Sequence, residues 1–205
     1  MRTILLTFCL FMGTILSAQN NVLIEIENAN AAYKVITGDF VRTQTNVAKG
    51  TSIKADGTLY IVGEDQMAQY YKAPSTDLLI INGNDFYMIR GKKTNKFNTE
   101  KNKTMRSLRN TLLYCVHGKP MELATENGAE ITAEKKENEY EVVLISTKKT
   151  ARGYAKIVLT YDLKSKLLTK MRMDEYNGNS TLYEMNNLKT NGNIDAKVFD
   201  IPEKK

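Results

Sequence analysis

From residue 39 onward, short runs of alternating apolar and polar residues dominate the chain, and helical spacing appears in only two places. The first is near the start. Val22, Ile26, Ala29, Tyr33 and Ile36 recur on one helical face, with Glu25, Glu27, Asn28 and Lys34 on the others, and Gly38 is expected to end the helix. Strands are then predicted over 40–46, over 58–62 after the turn-forming Asp56-Gly57, and over 67–71 ahead of Pro74. The strongest local unit is Leu78-Leu79-Ile80-Ile81, Asn82-Gly83-Asn84-Asp85 and Phe86-Tyr87-Met88-Ile89. It reads as a hairpin because Asn-Gly supplies the positive φ of a tight turn. A shorter strand runs through Lys96 and Phe97. Helical spacing returns with Met105, Leu108, Leu112 and Cys115, closed by Gly118 and Pro120. Further strands are predicted over 129–135, 139–147, 155–161, 168–175 and 181–188, the last two flanking a second turn at Asn177-Gly178-Asn179.

The order helix, strands, helix, strands lacks the long alternating βα units of a parallel sheet. It predicts a mainly β protein with helices (α+β), in which one large antiparallel meander curls and the helices lie on its inner face. No internal repeat or linker divides it, so one domain over residues 19–205 is expected. Residues 1–18 read as a secretory signal peptide. Arg2 precedes an apolar run from Ile4 to Ile15, and Leu16-Ser17-Ala18 offers a small-residue cleavage site. That run is shorter than the ~20 residues of a spanning helix. Gln19, not a lipid-bearing cysteine, would open the mature chain, so an unlipidated, diffusing periplasmic protein is expected.

Charge and chemistry narrow the function by subtraction. The formal net charge is +6. In an exported protein this favours anionic lipid or a protein partner over nucleic acid. Loss of Cys9 with the leader leaves Cys115 alone, and His117 is the sole histidine. On a helix these two face different ways, and no phosphate-binding loop, nucleophile elbow or zinc-binding helix is present. Neighbouring carboxylates such as Glu64/Asp65 and Asp174/Glu175 fit solvated turns. No enzyme, cofactor or metal site is expected. One basic run stands out: Arg90, Lys92, Lys93, Lys96, Lys101, Lys103, Arg106 and Arg109, interrupted by the single acid Glu100. It reads as a solvated surface or as a docking face for an acidic partner or anionic headgroups. Seven methionines lie beyond the leader, suited either to core filling or to an adaptable apolar surface.

Several segments resemble the LolA-type outer-membrane lipoprotein carriers. Gly57-Thr58-Leu59-Tyr60-Ile61-Val62, Tyr70-Tyr71-Lys72-Ala73-Pro74 and the stretch Leu79 to Ile89 are similar to that family's glycine-led aromatic strand, proline-terminated strand and apolar hairpin. Gly38-Asp39-Phe40-Val41-Arg42-Thr43-Gln44 and the closing Val198-Phe199-Asp200-Ile201-Pro202 resemble its first strand and last segment. The resemblance implies a strongly curved, unclosed antiparallel sheet, a half-barrel lidded by helices. An apolar cavity between sheet and lid would shelter acyl chains of lipoproteins or another lipid. It also implies an inner-membrane lipoprotein-releasing transporter as donor and an outer-membrane acceptor; a monomer is expected. Cavity-lining residues would be Val22, Ile26, Ala29, Tyr33 and Ile36, then Leu59, Ile61 and Met67, then Leu108 and Leu112. The chain departs from the pattern at Gly63-Glu64 and Ala68-Gln69, where the family has a basic residue with proline and an Arg-Trp-like pair. The alternative function is a sensor or interaction domain on the same scaffold, docking through the basic run.

Overall fold

The alternation becomes eleven strands in a computed structural model that describes residues 19–148 and 153–201; the expected leader, 1–18, lies outside them. Helix α1 (19–31) precedes β1 (Val35–Asn46), β2 (Thr51–Val62), β3 (Gln66–Tyr71), β4 (Leu78–Asn82), β5 (Asp85–Arg90) and β6 (Lys93–Asn98). Helices α2 (Lys103–Val116) and α3 (Pro120–Asn127) follow. Then come β7 (Ala129–Lys135), β8 (Glu139–Ser146), β9 (Tyr154–Asp162), β10 (Leu168–Glu175), β11 (Ser180–Thr190) and a 3-10 turn at Ala196–Phe199. All pairings are antiparallel, in the order β6-β5-β4-β3-β2-β1-β11-β10-β9-β8-β7.

That order explains how the lid is placed. The chain meanders from the sheet centre to one edge at β6 and re-enters at the opposite edge, β7. The connection between the two edges is α2 and α3, so these helices lie across the sheet. Because β6 and β7 do not pair, the curved sheet stays unclosed, the expected α+β half-barrel. Strand alternation sends Phe40, Leu59, Met67, Phe86, Tyr161 and Met171 to the concave face. There they form one buried cluster with Leu23 and Ile26 of α1 and Leu112, Leu113 and Val116 of α2.

Two expectations are corrected. The first helix does not continue to Gly38: it ends at residue 31, and Ile36 already belongs to β1. Its fully buried face is Leu23, Ile26 and Asn30 rather than the row from Val22 to Ile36. Gly38 serves the sheet. A Cβ there would lie 2.7 Å from Leu188 Cδ2 and 2.8 Å from the Asn186 carbonyl, so β1 and β11 approach closely only over hydrogen, beside a bulge. Pro120 likewise does not close α2 but opens α3, a helix the periodicity left unread. Its missing N–H costs nothing in the first turn, and Gly128 ends α3 at φ 60°.

The convex face carries a smaller core of its own. Ala68, Ile80 and Phe199 are buried there, with Tyr60, Tyr70 and Tyr87 packed around them. The C-terminal segment is thus strapped over β3 and β4, and the Tyr70 hydroxyl donates to the Val198 carbonyl at 2.8 Å. Tyr70→Phe is expected to cost about 1 kcal/mol, the net worth of one such bond. Urea denaturation should register that loss, and hydrogen exchange should show faster exchange confined to residues 196–199.

Candidate ligand-binding site

The space between helices and concave sheet is where the family resemblance places a cavity. Ile26, Ile36, Leu59, Ile61, Met67 and Leu112 do converge there, each at most 3% exposed. Val22, Tyr33 and Leu108 sit half-buried at the margin of the same cluster, and Ala29 is half-buried on α1. Tyr33 turns its hydroxyl to the Ser165 carbonyl at 2.9 Å. In this structure the centre of the interface is filled. Ile36, Leu59, Ile61, Val116, Met185 and Leu188 enclose a void of about 10 Å³, the room of roughly one water. An acyl chain taken up here must therefore lift a helix or displace side chains. Four methionines make displacement easier: Met67, Met171, Met173 and Met185 are all buried in this layer, and the unbranched thioether repacks readily.

Helix α1 is latched over this layer by a few polar contacts. Glu25 accepts from Lys166 and from the Tyr140 hydroxyl, each at 2.8 Å. The Lys166 bond, then the Tyr140 bond, hold the Glu25 carboxyl below its ordinary range. Asn30 donates to the Lys166 carbonyl at 2.7 Å, and Gln19 to the Ile131 carbonyl at 2.7 Å. These partners lie on β7, on β8 and in the turn between β9 and β10, so α1 is tied to one half of the sheet only.

At the positions where the chain departs from the family pattern, Gly63 takes a positive φ of 57° and Glu64 pairs with Lys119 at 3.0 Å. That bond lowers the Glu64 pKa and joins the β2–β3 turn to the start of α3. Ala68 faces the convex core, while Gln69 is buried in the concave face at 2% exposure. Sequence reasoning missed a polar group on that face, and it missed Arg42 there too. The signal was available in the period-2 pattern, since Arg42 follows Phe40 and Gln69 follows Met67 by two residues.

Cys115 and His117 form no nucleophile pair. Cys115 is fully buried, and desolvation pushes its thiol pKa up, away from the thiolate. His117 caps the end of α2 at 8% exposure, and its Nε2 finds no partner. Burial, then the Lys119 charge, depress its pKa below 6.5, opposed by Glu64. The folded state thus binds this proton more weakly than the unfolded chain, so stability falls as pH drops through about 6.5. Between about pH 7.5 and 5.5, above the carboxylate range, wild-type unfolding free energy is expected to decline, and His117→Asn to flatten that decline. Parallel slopes in denaturation series would assign the dependence to other groups. Among the described residues no three His, Cys, Asp or Glu side chains converge to hold a metal ion.

The basic run is dispersed rather than gathered on one face. Arg90, Lys92 and Lys93 cluster at the tip of the β5–β6 hairpin, with Arg90 4.0 Å from Asp77. Lys96 pairs with Asp85 at 2.8 Å on the convex side, beside the Tyr87 ring. Lys101, Lys103 and Arg106 are exposed around the start of α2. Arg109 turns inward, donating to the Gly83 carbonyl at 2.8 Å and to Asn110 Oδ1 at 2.9 Å, which ties the β4–β5 turn to α2. Lysines on β6 also blunt an unpaired sheet edge. No helix among the described residues is long and apolar enough to cross a membrane.

Comparison with known proteins bears on this arrangement. No curated protein matches the chain. Among solved structures, it is similar to the LolA superfamily protein NE2245 of Nitrosomonas europaea, at 9% identity over 90% of this chain and 98% of that one, with a TM-score of 0.46. It is also similar to a putative outer membrane lipoprotein-sorting protein domain from Vibrio parahaemolyticus (13% identity, 90% and 97% covered, TM-score 0.47). A third is the lipoprotein LppX of Mycobacterium tuberculosis (14% identity, 86% and 99% covered, TM-score 0.42). The profile of the family described as outer membrane lipoprotein carrier protein LolA matches residues 31–202, from the end of α1 to the C-terminal strap. The chain therefore belongs to the LolA family of outer membrane lipoprotein carrier proteins.

Proposed function

We propose that the protein is a non-enzymatic periplasmic carrier that shelters the acyl chains of lipoproteins, or of another lipid, between the concave sheet and its helices. The observation that carries this reading is the largely apolar concave face, rich in methionine and covered by helices rather than by a second sheet. Acyl chains carry about 0.8 kcal/mol per buried CH₂ and do not cross water uncovered. A carrier must also give its cargo up. A layer that closes on itself when empty supplies part of the release energy, because recollapse of the core offsets loss of the ligand. Family membership over residues 31–202 supports the same reading.

By the same reasoning, cargo comes from an inner-membrane lipoprotein-releasing transporter and goes to an outer-membrane acceptor. The exposed cations at the β5–β6 tip and around the start of α2 would serve docking, with affinity falling as salt rises. The direct test is native mass spectrometry of the protein purified from its own envelope. A bound lipid or lipoprotein, released by detergent, is the expected result; protein that emerges without either overturns the carrier reading.

A further inference from the structure

Arg42 places a charge on a face that is otherwise largely apolar. Its side chain shares the concave face with Phe40, two residues earlier on β1. In register it stands opposite Ala55 of β2 and Tyr183 of β11, both packed into the concave core. The guanidinium carbon lies 4.5 Å from the centre of the Tyr71 ring. Phe40 completes an aromatic wall, edge-on to Tyr71 at 5.0 Å and tilted against Tyr183 at 6.1 Å. Burial raises the pKa of both tyrosine hydroxyls, and the Arg42 charge opposes that rise, which marks how near the cation lies to each.

Stacking on an aromatic ring offsets part of the desolvation of a guanidinium, and the Tyr183 hydroxyl lies within hydrogen-bonding reach of it. Among the described residues no carboxylate lies within 4.0 Å of Arg42, and its buried Nε has no acceptor. Asp77, the acid felt at Tyr71, is the one paired with Arg90. Gln69 adds a second donor. It lies on β3 with Tyr71, on the same face; its Oε1 accepts the Tyr71 hydroxyl at 3.4 Å, while its Nε2 meets only the Met67 thioether at 4.0 Å. Buried donors in native proteins are normally paired. Here the guanidinium Nε–H and the Gln69 amide N–H flank one tyrosine with no oxygen acceptor for either.

Room for a tail exists under the same helices: a groove of about 420 Å³ opens between the start of α2 and the ends of β9 and β10, lined by Met105, Leu108, Tyr154 and Glu175. Arg42 itself is only half-buried. We propose that the concave face holds an oxyanion subsite at Arg42, with Gln69 beside it, which selects amphiphiles bearing a carboxylate or phosphate head on an acyl chain. This rests on the carrier reading and narrows it, since esterified acyl chains offer Arg42 no such charge.

The test is displacement of the uncharged fluorophore N-phenyl-1-naphthylamine at about pH 8, where a fatty acid head is ionised. The competitors are hexadecanoate, hexadecyl phosphate and methyl hexadecanoate. At least one of the two oxyanions is expected to displace the probe at about tenfold lower concentration than the ester, the lower end for a hydrogen bond to a charged group. Whichever gains more names the head group. Arg42→Met should abolish the preference and leave the ester unchanged. Arg42→Lys should keep part of it, through charge without the planar fork. Wild-type protein that ranks acid and ester alike, or an Arg42→Met variant that loses all three ligands equally, overturns the subsite and leaves the carrier reading standing. Failure of every ligand and of the probe to bind overturns both. Should Arg42→Met not fold by circular dichroism, the wild-type ranking and Arg42→Lys decide the matter.

Discussion

Gly57→Ala is expected to destabilise the protein by about 3 kcal/mol, the upper part of the range for overpacking a core. A Cβ at Gly57 would lie 2.2 Å from the Tyr70 carbonyl oxygen and 2.8 Å from both Cε1 and Cζ of Phe40. Neither neighbour yields easily. The Tyr70 carbonyl belongs to the strand paired with β2, and the Phe40 ring, 1% exposed, is wedged against Tyr71 and Tyr183. Relief would require β2 to move away from β3, which breaks the ladder at the point where the aromatic wall is built. Gly192→Ala is the matched control, because a Cβ there meets nothing within 4 Å. Denaturation of both variants in guanidinium checks the prediction, and equal midpoints would refute the packing argument. Because Arg42 leans on the same wall, Gly57→Ala should also weaken any discrimination among anionic ligands.

Ile26→Glu is expected to release α1 from the sheet while leaving the strands folded. Ile26 is fully buried where α1 crosses the end of α2, and its carbonyl and Cγ2 lie about 3 Å from a Cβ placed on Gly118. Loss of the apolar side chain alone costs about 2–5 kcal/mol in such a site, and a carboxylate cannot stay charged there without a partner. Helix α1 is anchored otherwise by buried Leu23 and by the polar contacts of Glu25, Asn30 and Gln19. Its detachment is therefore cheaper than unfolding the sheet, and the damage should stay local. Hydrogen exchange would then show protection lost over residues 19–31 with β1–β5 unchanged, together with stronger binding of an apolar dye to the uncovered face. Simultaneous loss of protection in the strands would make α1 an inseparable part of the core, and the lid role would fall with it.

Much of this architecture was legible from local pattern. The β4–β5 hairpin turns at Gly83-Asn84 between the paired Asn82 and Asp85, with Gly83 at φ 58°. All nine elements from residue 78 onward that the sequence predicts are present near their expected bounds. Errors occurred where a residue answers to a distant partner. Gly38 reads as a helix stop but is needed for the approach of Leu188, 150 residues away in the chain. Pro120 reads as a terminator because proline breaks helices in the interior and opens them at the first turn, and spacing alone does not distinguish the two.

For the site, the sequence by itself determined which residues are apolar and which strand face each occupies, because side chains alternate with a period of two. That suffices to predict a curling antiparallel meander with helices on its inner face, while the half-barrel and the lining set of Leu59, Ile61, Met67, Ile26 and Leu112 came from the family resemblance. Only the tertiary structure decided how tightly helices and sheet close, leaving about 10 Å³ at the centre and a groove of about 420 Å³ under the start of α2. Only it decided where the cations of the basic run go, and that Arg42 meets Tyr71 and Tyr183 without an acid partner. The physical reason is that volume and charge compensation are properties of groups brought together from β1, β3 and β11, and no local period records which groups those will be.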